Sequence, residues 1–91
     1  MINKGDMIGD YEVIASHTQD DHGDRTQGVV LAYAPYKREY AVWFVNGDDA
    51  HTGFYAFDAD AALLRYVERV TNRLYAYHNR MAPGVSFVVR P

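Results

Sequence analysis

A chain of 91 residues with no cysteine, 48% hydrophobic and 23% charged, reads as one domain over residues 1–91 and excludes a disulfide framework, a thiol nucleophile and thiolate metal sites. Its net charge of −3 hides a division, because residues 1–60 hold eleven acids against four bases and residues 61–91 one acid against five bases. Either the two parts pair within the molecule or they offer faces of opposite sign to partners. Met1 to Asp6 lacks the apolar core of a signal peptide, and no apolar run approaches the roughly 20 residues that span a bilayer, so a cytoplasmic location is expected.

Met7 to Ala15 alternates as a half-exposed strand, with Met7, Tyr11, Val13 and Ala15 on one side and Asp10 and Glu12 on the other. Thr18 to Gln27 contains no large apolar residue and reads as a long mobile loop. Gly28 to Ala34 and Tyr40 to Asn46 follow as two strands, with Pro35-Tyr36-Lys37-Arg38 as their hairpin connection. Both are apolar on both faces: Val29, Leu31 and Tyr33 oppose Val30, Ala32 and Ala34, while Tyr40, Val42 and Phe44 oppose Ala41, Trp43 and Val45. A half-solvated sheet carries polar residues on one side. The second face here therefore needs a cover: a sheet that curls on itself, a second copy of the chain, or a different partner.

Asn46-Gly47-Asp48-Asp49 ends the third strand at a turn, and Gly53 to Phe57 predicts a short fourth strand. Leu63, Val67, Val70, Leu74, Tyr77 and Met81 recur at spacings of four, three, four, three and four. That pattern places them on one stripe of a helix, which is either core-facing or a helix-pairing seam. Asp58 serves as its N-cap and Pro83-Gly84 as its stop. Val85, Phe87 and Val89 predict a last strand. The expected fold is α+β: a strongly bent antiparallel sheet in the order β-β-β-β-α-β, with one long amphipathic helix packed on it and barrel-like curling as the leading cover.

Gly28-Val29-Val30, a short hairpin, then Tyr40, Val42 and Trp43 and a Gly47-Asp48 turn together resemble the SH3-like small barrels, including Tudor-type and KOW-type modules, over roughly the first half of the chain. The resemblance implies a small binding module, and its Tudor-type members imply an aromatic cage, here drawn from Tyr36, Tyr40, Trp43 and Tyr55. Members that bind nucleic acid carry basic loops, whereas these loops hold Asp20, Asp21, Asp24, Asp48 and Asp49. In size, acidity and lack of catalytic motifs the chain is also similar to accessory proteins of phages and plasmids, many of which inhibit host machinery by binding it.

Catalytic chemistry finds little footing. Ser16 and Ser86 are the only serines, neither in a nucleophile-elbow context, and no phosphate-binding glycine loop is present. His17, Asp20, Asp21, His22 and Asp24 are the densest set of metal-ligating types, but they match neither an EF-hand loop nor a zinc spacing. A non-enzymatic chain without metal or cofactor is expected. The leading expectation is a protein-binding module that meets its partner through Asp20, Asp21, Asp24, Asp48 and Asp49, with a homodimer as a further option. The alternative is a nucleic-acid-binding barrel, in which Arg65, Arg69, Arg73 and Arg80 form a basic ridge opposite the apolar stripe.

Overall fold

The computed structural model describes residues 2–21 and 25–81, with side chains for 2–18 and 27–72. Five strands, β1 (Met7–Ile8), β2 (Tyr11–Asp21), β3 (Arg25–Ala34), β4 (Glu39–Asn46) and β5 (Asp49–Ala56), precede one helix, α1 (Ala59–Met81). The strands form one antiparallel meander in the order β1-β2-β3-β4-β5. Five strands rather than four therefore stand before the helix. The expected stretch from Met7 to Ala15 is broken at Gly9-Asp10 into β1 and the start of β2. The expected closing strand, Val85 to Arg90, and the Pro83-Gly84 stop lie outside the described residues.

Within the expected Thr18 to Gln27 loop, residues 18–21 and 25–27 are strand, and residues 22–24 lie outside the described residues. β2 and β3 stay in register through Thr18↔Gly28, Gln19↔Gln27, Asp20↔Thr26 and Asp21↔Arg25, so the hairpin continues as a polar ladder. Strand pairing needs only backbone donors and acceptors, and Thr and Gln side chains do not oppose it.

Two cores lie on opposite sides of β3 and β4. On the inner face Val30, Ala32, Ala34, Ala41, Trp43 and Val45 pack with Ile2, Tyr11 and Val13. On the helix face Val29, Leu31 and Val42 pack with Ala62, and Ala15, Tyr40, Phe44, Phe54, Tyr66 and Val70 border them. The inner face is closed by curling of the sheet. Flat strands three places apart stand about 14 Å from one another, yet the rings of Tyr11 on β2 and Tyr55 on β5 have centroids 6.3 Å apart. Trp43 is only 7% exposed, so this face needs no second chain.

Three features produce the curl. Ala32, Ala34 and Ala41 take little room inside it. A bulge in β2 between Val13 and Ala15 turns Ile14 outward and moves Ala15 to the helix face, against the simple alternation of the sequence. A second irregularity sets Thr52 and Gly53 of β5 opposite Trp43 alone, with Thr52 in the left-handed region at φ 56°. Bulges bend the strand that carries them and increase its twist. Among the described residues β5 pairs only with β4, which leaves a half-barrel rather than a closed one.

The helix is capped as its sequence indicates, with Asp58 Oδ1 and Oδ2 accepting from the amides of Asp60 and Ala61 at 3.2 and 3.3 Å. Of the stripe expected to be core-facing or a helix-pairing seam, Val70 meets the sheet while its start does not. Ala62, Tyr66, Arg69 and Val70 face the sheet, whereas Leu63 and Val67 are 52% and 50% exposed. The helix is turned by about a fifth of a revolution from the position that would bury the Leu63–Val67 stripe. Small Ala62 permits close approach, and Arg69 brings its polar head to carbonyls that need it.

Candidate functional site

Gly53 lets Tyr55 fold back across its own strand: a Cβ there would stand 2.5 Å from the Tyr55 hydroxyl. In that position Tyr55 accepts a hydrogen bond from Trp43 Nε1 at 3.1 Å. Trp43 stands edge-on to both Tyr55 and Tyr11, with centroids 6.0 and 5.2 Å away. The Tyr11 hydroxyl donates to Glu39 Oε1, and Lys37 Nζ lies 5.1 Å from the Tyr11 ring centroid. This bond to Glu39, then burial and the nearby carboxylate charge, push the Tyr11 hydroxyl up to about 12. Of the four expected cage residues, Trp43 and Tyr55 come together. Tyr40 lies on the helix face against Tyr33, 4.6 Å between centroids, and Tyr36 is fully exposed in the β3–β4 turn. Tyr11, Trp43 and Tyr55 close the inner core, and only Tyr55 among them offers a broad face to solvent.

Of the expected arginine ridge, Arg65 and Arg69 lie against the sheet rather than away from it. Arg69 stacks on Phe44 at 4.5 Å and donates to the carbonyls of Val42 and Thr52 at 3.0 and 2.7 Å. Burial, with a contribution from neighbouring Arg65, lowers its pKa. Arg65 stacks on Phe54 at 4.8 Å and pairs with Glu68 at 3.6 Å. Arg73 and Arg80 occupy later turns of α1, and their side chains lie outside the described set. Burial also pushes the Tyr66 hydroxyl up.

The acidic residues are gathered by topology. Gln19, Gln27 and Asn46 form one row across β2, β3 and β4. Asp20 and Asp21 continue β2 beyond that row, and Asp48 and Asp49 follow Asn46 through the β4–β5 turn. The end of β2 and the β4–β5 turn, far apart in sequence, thus lie at the same end of the sheet. Asp48 and Asp49 are exposed, and hydrogen bonding with a nearby positive charge holds the Asp48 carboxyl below the usual range. Asp24 and the side chains of Asp20 and Asp21 lie outside the described set, as does His22. The helix advances past Phe54 and then Thr52, antiparallel to β5, so its later turns run toward this acidic end.

His17 Nε2 and Asn46 Oδ1 are buried without a hydrogen-bond partner, and both belong to the helix face by register. Buried polar groups of this kind are ordinarily met by water. Among the described residues no three His, Cys, Asp or Glu side chains converge as a metal site, and no helix is long and apolar enough to cross a membrane. Comparison with protein-family models, curated proteins and solved structures returns no match.

Sequence reasoning named the acids and arginines but missed Tyr11 and Glu39. Tyr11 sits on the inward parity of its strand, a signal that was present. Its pairing with Glu39 depends on β2 and β4 being brought together by the curl, which no local pattern encodes.

Proposed function

We propose that this chain is a non-catalytic protein-binding module that meets a basic patch on a partner protein with the acidic end of its sheet. The observation that carries the reading is the arrival of Asp20-Asp21 and Asp48-Asp49 at one end of the meander. Acids carried at one end of a sheet add to a single long-range field, which salt screens over ~8–10 Å. Such a surface favours encounter rate and partner choice more than raw affinity. The SH3-like resemblance accords with a binding role, and an inhibitor or adaptor carried by a phage or mobile element is the form this role takes in our reading. Nucleic acid is less favoured, because Arg65 and Arg69 are engaged with Phe54, Phe44 and backbone carbonyls.

The test is a quantitative pulldown with the immobilised chain and an Asp20→Lys/Asp21→Lys/Asp48→Lys/Asp49→Lys variant, at about 50 mM and about 300 mM salt. The wild-type chain is expected to retain one protein in stoichiometric amount at low salt, less at high salt, and the variant none. Equal capture by both chains, or no capture by either, rejects the reading.

A further inference from the structure

We propose that residues 85–90 form a sixth strand on the free edge of β2, antiparallel to it and beneath the exposed flank of α1. The proposal is independent of the acidic-end reading.

β2 has a long side without a neighbouring strand. β1 pairs only with Tyr11 and Glu12, and Gly5 and Asp6 serve the backbone of Val13, so from Ala15 to Asp21 no described strand lies on that side. A bare edge of this length is a template for one more strand. The residues that follow α1 suit it, because Val85, Phe87 and Val89 alternate with Ser86, Val88 and Arg90. Reach agrees as well. α1 advances about 18 Å from Arg69, which lies over Phe44, to Met81, while β2 advances about 13 Å from His17, in the same row as Phe44, to Asp21. Helix and strand therefore end near one level. Ala82-Pro83-Gly84 spans up to about 10 Å, enough to drop from helix to sheet and turn back.

The bare edge of β5 offers the other place, and chirality decides against it. In a strand of L-residues, the side toward which a residue's N–H and C=O point fixes the face that its side chain takes. Val13 turns both groups toward β1 and its side chain to the inner face, which sets the hand of the whole meander. Seen from the helix with β5 running upward, β2 lies to the right of β5. A strand that returns parallel to β5 after a helix on this face belongs to its right, by the right-handed rule for crossovers. That is the β2 edge; the β5 edge would need a left-handed crossing.

Packing adds a third argument. Arg65 and Arg69 lean over Phe54 of β5 and Phe44 of β4, whereas Leu63 and Val67 occupy the opposite flank of the helix, toward β2, and are 52% and 50% exposed. On the added strand Val85, Phe87 and Val89 take the helix face beside Ala15 and His17, and Ser86, Val88 and Arg90 take the other.

Amide hydrogen exchange and nuclear Overhauser contacts, measured on the whole chain, test this. Exchange at residues 85–90 is expected to be slowed by more than about tenfold against an unstructured peptide, with contacts from these residues to residues 15–21 and from Phe87 to the Leu63 and Val67 flank. Exchange at the unstructured rate, contacts to β5 instead, or contacts that arise only between differently labelled chains overturn the proposal. Two serine variants check the facing. Phe87→Ser should remove the protection of residues 85–90 and Val88→Ser should retain it, with the Trp43 signal of the inner core unchanged in both; any other pattern overturns the proposed facing.

Discussion

The guanidinium of Arg69 spans from helix to sheet to meet the Val42 carbonyl at 3.0 Å, at the point where β4 and β5 lose their regular register. It also takes the Thr52 carbonyl at 2.7 Å. Irregular pairing leaves carbonyls short of ladder donors, and a charged donor is a stronger replacement than a neutral one. The same side chain covers Phe44, so it fastens α1 to the irregular part of the β4–β5 pairing.

Replacing it should be costly. Arg69→Ala is expected to lower unfolding free energy by about 2 kcal/mol, and Arg69→Lys by less, since lysine keeps a charged donor and loses the guanidinium plane over Phe44. Urea denaturation followed by circular dichroism checks this; an alanine variant as stable as wild type removes Arg69 from the account of helix docking.

Tyr11 makes stability depend on pH at the alkaline end. Its pKa rises from 10.0 to about 12, so the folded state favours the protonated hydroxyl. The contribution is fully present below pH 10 and is lost as pH rises through about 12. Tyrosinate absorbance should show a late-titrating component that Tyr11→Phe removes. Glu39→Gln should return it toward 10; a late group that survives that substitution assigns the shift elsewhere.

Gly28 should not tolerate a side chain. A Cβ there would stand 2.1 Å from the His17 carbonyl oxygen and 2.8 Å from Thr18 Cα, both backbone atoms that yield only if β2 and β3 separate. Gly28→Ala is expected to cost about 3 kcal/mol or more, read as a lower urea midpoint together with greater solvent access to Trp43. Unchanged stability would contradict the close approach of these strands.

Arg38 offers a change in the opposite direction. It ends the β3–β4 turn at φ 51°, where an L side chain crowds its own backbone. Arg38→Gly is expected to raise stability by about 1 kcal/mol, visible as a higher thermal midpoint. A lower midpoint would show that the turn relies on the arginine side chain.

Much of the architecture was legible for identifiable reasons. Alternation that is apolar on both sides of β3 and β4 announced two covered faces, and Asp58 announced the start of the helix. The bulge at Ile14 was not legible, because one inserted residue shifts parity without altering composition. Nor was the β2–β3 ladder, whose polar side chains hide its backbone pairing. Helix rotation was left open for a third reason: an apolar stripe shows where a partner belongs without saying whether it is a sheet or another helix. At the candidate site the acids could be named from Asp20 to Asp49, but their convergence is a property of the meander alone.

The two-sided core alters what holds β3 in place. In a sheet wet on one side, a slip by one residue is penalised because it would drive polar groups inward. In the Val29 to Ala34 stretch both parities are greasy, and polarity has almost no vote. Bulk decides instead: sliding by one would thrust Leu31 and Tyr33 into the narrow hollow fitted to Ala32 and Ala34, and leave alanines under the helix. Enlarging those alanines would thus erode the choice of pairing itself, yielding several near-equivalent folds instead of a single weakened one.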